Sequence, residues 1–148
     1  MRRRSEPSMS LYFSHPTFTF NTTTEKKCIS IIKEYLEPDE LINPANFGLK
    51  HDLKSKIQKS DSIVAMAVSG VFTYIVWKEI ELVDKEEVKL YTFMVKNKSD
   101  IGPLVKGIPD NIKKLSKKQS KKLSYKITKD DYQDGFMTSL VGSRGSRF

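Results

Sequence analysis

The sequence predicts a three-layer α/β fold built on a doubly wound parallel sheet. Three observations carry this. The run Ile63-Val64-Ala65-Met66-Ala67 is continuously apolar, as a strand buried on both faces is. Segments with helical spacing alternate with short apolar segments, which is the order of successive strand–helix–strand units with right-handed crossovers. The 148 residues amount to about one domain with a single core. The expected class is therefore a single-domain, flavodoxin- or Rossmann-like sheet.

The elements follow in order. Residues 1–9 carry three arginines, a proline and small polar residues, and read as a disordered leader. Residues 10–110 form the α/β domain, and 111–148 a lysine-rich helical segment with a C-terminal tail. Leu11-Tyr12-Phe13 is a short buried strand ending at Ser14-His15-Pro16. Between Thr24 and Leu36, Cys28, Ile29, Ile31, Ile32, Tyr35 and Leu36 recur at helical spacing, and the threonines at 22–24 supply an N-cap. Leu41-Ile42-Asn43 is the second strand and Asn46-Phe47-Gly48 a turn. Leu49, Leu53 and Ile57, four apart, mark a second helix ending near Ser60. After the strand from Ser62 to Val68, Ser69-Gly70 turns the chain into a third helix, from Phe72 to about Val83. Val88 to Val95 is a fourth strand, and Asp100 to Val105 a short helical stretch.

Composition excludes some classes. Apolar residues make up 38% and charged residues 30%, an ordinary balance for a soluble domain. The longest apolar stretch, Ile63 to Trp77, is broken by Ser69, Gly70 and Thr73 and falls short of the roughly 20 residues that span a bilayer. Met1-Arg2-Arg3-Arg4 leads into Ser5, Glu6 and Pro7, unlike a secretory signal. A single cysteine, Cys28, offers neither a disulfide nor a zinc cluster. A cytoplasmic protein without membrane contact, metal or cofactor is expected. The net charge of +8 resides mainly between Lys113 and Lys126, where there are seven lysines and no acid. The four-residue repeat there lets Leu115 and Leu123 face inward while the lysines fan out, either as a solvated face or as a phosphate or nucleic-acid surface.

Ligands of open α/β sheets bind at the carboxyl ends of the strands. The residues there are Ser14, His15 and Pro16, then Asn43, then Ser69 and Gly70, then Asn97. Glu79 is the most informative position. At roughly 100° per residue it falls amid Phe72, Ile75, Val76 and Val83, and a carboxylate in an apolar stripe is costly unless paired or facing a polar cleft. A catalytic carboxylate, a structural ion pair and a helix rotated to put Glu79 at its edge all fit. Asp52, in the first turn of its helix, is a second catalytic candidate or a solvated acid favoured by the helix dipole. His15 is a functional candidate or a structural hydrogen-bonding residue. No GxGxxG or P-loop fingerprint is present. The tail offers Ser143, Arg144 and Arg147, whose donors match phosphate, or is simply a flexible end.

From Leu11 to Val95 the chain resembles the nucleoside 2-deoxyribosyltransferase-like family, which includes deoxynucleoside 5′-monophosphate N-glycosidases. The resemblance rests on Leu11-Tyr12-Phe13-Ser14-His15-Pro16, on Asp52-Leu53 ahead of Ile57-Gln58-Lys59-Ser60-Asp61-Ser62-Ile63, and on Trp77-Lys78-Glu79 followed by Leu82. It implies that Glu79 is the nucleophile in cleavage or transfer of an N-glycosidic bond in a nucleoside or nucleotide, with Asp52 assisting. It also implies a homo-oligomer in which a neighbour's C-terminal residues complete the site. The chain departs from the family where a glycine-rich turn is replaced by Ser14-His15-Pro16-Thr17-Phe18, and where an Asp-Gly pair is replaced by Ser69-Gly70. A non-enzymatic nucleotide-binding domain on the same fold is the alternative, and nucleic-acid binding through the lysine segment a further one.

Overall fold

A computed structural model describes residues 9–47, 53–83 and 86–133. Four strands make the parallel heart of the sheet: β1 (Ser10–Ser14), β2 (Glu40–Ile42), β3 (Ser62–Val68) and β5 (Lys89–Asn97). β1 lies between β2 and β3, and β5 pairs along the other side of β3, so the order is β2-β1-β3-β5. The expected class is met: a single-domain, Rossmann-like α/β fold with a mostly parallel sheet of seven strands. β3 is buried at every position, as its unbroken apolar run requires.

Strand pleating sends alternate side chains to opposite faces, and each face collects its own helices. Leu11, Phe13, Val64, Met66, Phe93 and Val95 pack with Cys28 and Ile32 of α1 (Thr23–Leu36). Tyr12, Ile63, Ala65 and Ala67 pack with Ile57 of α2 (Leu53–Gln58) and with Val76 and Ile80 of α3 (Tyr74–Glu81). Thr22 caps α1, its hydroxyl accepting from the Glu25 amide at 3.2 Å. Tyr35, expected on the inner face of α1, is 70% exposed.

Two segments differ from expectation. Ser69-Gly70 does not lead straight into a helix. Both residues have positive φ (49° and 81°), as the central residues of a type I′ hairpin do, and the chain returns as β4 (Val71–Phe72), antiparallel to the end of β3. The stretch from Asp100, expected to be helical, is β6 (Asp100–Lys106), antiparallel to β5. Its pairing slips between Phe93↔Leu104 and Val95↔Ile101, so three residues of β6 oppose two of β5. That bulge brings Ile101 and Leu104 to one face at a spacing of three, which imitates a helix.

The lysine-rich region is built into the fold. β7 (Lys113–Lys114) pairs with β4, and α4 (Lys117–Lys126) starts with a Ser116–Gln119 capping box. Leu115 is buried as expected, and Leu123 packs against the α1-side cluster. No helix among the described residues is long and apolar enough to cross a membrane.

Candidate functional site

The site begins with strand parity. Tyr12 and Ser14, two apart on β1, share the face covered by α3, whereas Phe13 and His15 share the face covered by α1. α3 presents Glu79 in its second turn to the carboxyl end of β1. The Tyr12 hydroxyl donates to Glu79 Oε2 at 2.8 Å, and the Ser14 hydroxyl donates to Glu79 Oε1 at 2.6 Å. Tyr12 and Ser14 are fully buried and Glu79 half-buried. Among the described residues no cation pairs with Glu79; its partners are two hydroxyls.

The helix sits slightly rotated from the expected stripe. Val76 and Ile80 face the core, while Ile75 is 51% exposed and flanks Glu79 one turn earlier. Glu79 therefore stands where the apolar face meets the rim. Burial drives its carboxyl above the ordinary glutamate value, opposed by the hydrogen bonds from Ser14 and Tyr12 and by the charge of His15. Burial, with the carboxylate beside it, also holds the Tyr12 phenol far above its usual value, so it remains a donor.

His15 follows Ser14 but turns the other way. Its Nδ1 donates to the Phe13 carbonyl at 3.0 Å, and its Nε2 meets Glu25 Oε2 of α1 at 2.8 Å. Nε2 and that carboxylate thus share a proton. The ring stacks on Phe13, with centroids 4.1 Å apart. Glu25, which helical spacing assigned to the solvent side of α1, is buried in this pair.

The other expected residues lie along the same sheet edge in local roles. Pro16 opens a 3₁₀ turn and lines a cleft between the β1 end and α3. Asn43 caps the next 3₁₀ turn, its Oδ1 accepting from the Ala45 amide at 3.1 Å. The Ser69 amide donates to the Val95 carbonyl at 2.8 Å, and the Gly70 carbonyl accepts from the Lys113 amide at 3.0 Å. Asn97 Oδ1 accepts from the Ser99 amide at 2.8 Å in the β5–β6 turn. Asp52, Ser143, Arg144 and Arg147 lie outside the described residues. So the structure brings Ser14 and Glu79 into direct contact and leaves His15, Asn43 and Asn97 in bonds of their own.

Tyr12 escaped the sequence reading. It sits inside an apolar triplet, and its only signal was parity with Ser14. The cleft lined by Pro16 measures about 280 Å³ and is closed on its far side by α4. No group of three or more histidine, cysteine, aspartate or glutamate side chains among the described residues could hold a metal ion. No protein-family model, curated protein or solved structure matches the chain.

Proposed function

We propose that this protein cleaves or transfers the N-glycosidic bond of a deoxynucleoside or deoxynucleotide, with Glu79 as nucleophile. The observation that carries the reading is the Tyr12–Glu79–Ser14 arrangement: a half-buried carboxylate held by two hydroxyl donors and, among the described residues, by no salt bridge, at the carboxyl edge of the sheet, where ligands of such folds bind. A structural carboxylate in that position would be expected to meet a base. The hydroxyl donors favour the charged form of Glu79 against the effect of burial and fix its oxygens in direction.

The chemistry follows. One Glu79 oxygen attacks the anomeric carbon as the bond to the base nitrogen breaks, and the electron pair leaves with the base, which takes up a proton. The product is a glycosyl ester of Glu79. Water, or the nitrogen of a second base, then attacks the same carbon and frees the carboxylate. The Tyr12 and Ser14 hydroxyls orient the attacking oxygen and stabilise the carboxylate when it departs in the second step. Asp52 is the candidate that protonates the leaving base or holds the sugar.

The test is base release from a panel of deoxynucleosides and their 5′-monophosphates, for wild type and Glu79→Gln. Gln preserves shape and leaves the hydroxyls a partner. Loss of a nucleophile should lower the rate by several powers of ten. A Glu79→Gln protein that releases base at the wild-type rate would remove Glu79 from the mechanism. A wild type that binds nucleosides tightly without cleaving any would identify a binding domain instead.

A further inference from the structure

Between Lys113 and Lys126 the chain carries seven lysines and no acid, and Tyr125 is the only aromatic residue among them. The fold decides where these groups point. Leu115 is buried, and Leu123 and Ile127 pack against the α1-side cluster, so the apolar side of α4 is taken up by the core. The capping box at Ser116 and Gln119 fixes the start of the helix. Two bonds seat it on α3: the Tyr74 amide donates to the Ser120 hydroxyl at 2.7 Å, and Trp77 Nε1 donates to the Leu115 carbonyl at 2.6 Å. Lys117, Lys118, Lys121, Lys122 and Lys126 are all exposed, and so is Tyr125, at 77%. At roughly 100° per residue, Tyr125 lies in the middle of this outward face, with Lys118, Lys121 and Lys122 seven, four and three positions before it.

Folding brings further aromatic rings to the edge of that face. Tyr74 and Trp77 of α3 meet edge to face, with ring centroids 5.3 Å apart. Lys78 Nζ lies 5.9 Å from the Tyr74 centroid and 5.3 Å from that of Trp77, and Lys114 Nζ of β7 lies 5.7 Å from that of Trp77. Ammonium groups at such distances are attracted to the ring faces. Glu81, on the same border, is paired with Lys78 at 3.4 Å. Rings and cations thus alternate across α3, β7 and α4, although they are far apart along the chain.

The charge of the segment is not balanced within the protein. Among the described residues no ion pair engages any of the seven lysines. Lys117–Lys121, Lys118–Lys122 and Lys122–Lys126 are like-charge pairs at i, i+4, which destabilise a helix. A polyanion laid along the face removes that repulsion and gains from the counterions it releases. What the face lacks narrows the chemistry of the partner. A lipid surface would need apolar side chains to take up, and those of α4 are turned inward. Reading a duplex by sequence needs amide or guanidinium forks, and the Gln119 side chain is held in the capping box. Exposed rings among ammonium groups suit unpaired bases, which stack on the rings while the lysines neutralise the backbone.

We infer that the outward face of α4 binds single-stranded nucleic acid without sequence preference. Lys118, Lys121 and Lys122 contact phosphates, Tyr125 stacks on a base, and the Tyr74–Trp77 pair borders the path of the strand. Neither Glu79 nor its hydroxyl donors take part, so this binding is independent of the glycosidase chemistry.

The experiment is fluorescence anisotropy on the full chain with labelled oligo-dT and oligo-U of about twelve nucleotides, titrated at several salt concentrations. Lys118→Gln/Lys121→Gln/Lys122→Gln is compared with Lys26→Gln/Lys27→Gln/Lys33→Gln, which removes the same charge from the exposed side of α1. Tyr125→Ala is compared with Tyr35→Ala, which removes a ring of similar exposure from α1. All of these side chains are exposed, so each variant should fold as wild type does. Wild type should bind both oligomers more tightly than a duplex of the same length. For single strands the logarithm of affinity falls with that of salt by about 0.7 per phosphate contacted. The α4 lysine variant should therefore lose about 2 from the slope, and at least about tenfold in affinity near 0.1 M salt. Tyr125→Ala should lose at least about fivefold with its salt slope unchanged, the mark of a stacking contact. Both α1 variants should bind as wild type does.

No binding, or equal loss in the α1 and α4 lysine variants, would overturn the surface. Full retention in Tyr125→Ala, or competition by poly-glutamate as effective as by unlabelled oligomer, would leave a plain cationic face and overturn its assignment to nucleic acid. Tighter binding to the duplex, or binding only to phosphatidylserine vesicles, would overturn the single-strand reading in favour of those partners. Loss in the α4 variants with one of the two oligomers alone would uphold the face and identify which sugar it takes.

Discussion

Tyr12 and Ser14 do opposite things to Glu79 from what its burial does. Burial favours the protonated acid, whereas the two donated hydrogen bonds favour the carboxylate, and burial is the stronger. The acid limb of kcat/KM should therefore lie above 4.5, the ordinary value for glutamate. Each hydroxyl removed should move that limb further up, and Ser14→Ala further than Tyr12→Phe, because the Ser14 bond has the larger effect. A pH profile that stays put in both variants would exclude Glu79 as the titrating group. Stability carries the same sign. Since the folded state holds the Glu79 proton more tightly, stability falls as pH rises from 4.5 to the raised value and is level above it. Glu79→Gln removes that loss, so its melting temperature should gain on wild type across that window and not below it. Glu79→Ala is a poorer probe. It leaves the buried Tyr12 and Ser14 hydroxyls without their acceptor, a cost of about 1–3 kcal/mol for each. Melting curves of the two variants at neutral pH should separate in that order.

Among the elements, those with an unambiguous period were legible and those with a broken one were not. The run that became β3 has no competing reading, and the Cys28–Ile32 spacing allows only a helix. β6 was misread because its bulge places Ile101 and Leu104 three residues apart on one face, and no local signal distinguishes that from one helical turn. Gly102 is the physical clue within it. A Cβ there would lie 2.6 Å from the Met94 carbonyl oxygen, so β6 approaches β5 in a way only glycine permits. Gly102→Ala should force the strands apart and cost about 1–3 kcal/mol, read by chemical denaturation. A neutral change would mean that the bulge yields easily. At the site, Glu79 and Ser14 were legible from an acid on an apolar stripe and a hydroxyl at a strand end. The cleft at Pro16 was not, because its walls come from α3 and α4, some forty residues apart. Nor was the His15–Glu25 pair, since helical spacing alone puts Glu25 outside.

In the molecule as a whole, the two sheet faces divide the work. One face of β1 meets α3 and carries the carboxylate with its donors; the other meets α1 and holds the His15–Glu25 pair, the imidazole lying against Phe13 and Phe20. The lysine segment joins the α3 side by strand pairing and helix docking, while its lysine side chains stay exposed to solvent. The α1 side carries its own reporter. Cys28 is fully enclosed between α1 and the sheet, and burial, with Glu25 nearby, pushes its thiol up to about 12. Only a thiolate reacts readily with alkylating or disulfide reagents. It is also the chain's sole cysteine. At pH 8, modification of the native protein should therefore wait for α1 to lift away, and the labelling half-time becomes a clock for that opening. Mixing with a chromogenic disulfide should give a single slow phase that accelerates with urea. An immediate full burst of colour would show that α1 is loosely held.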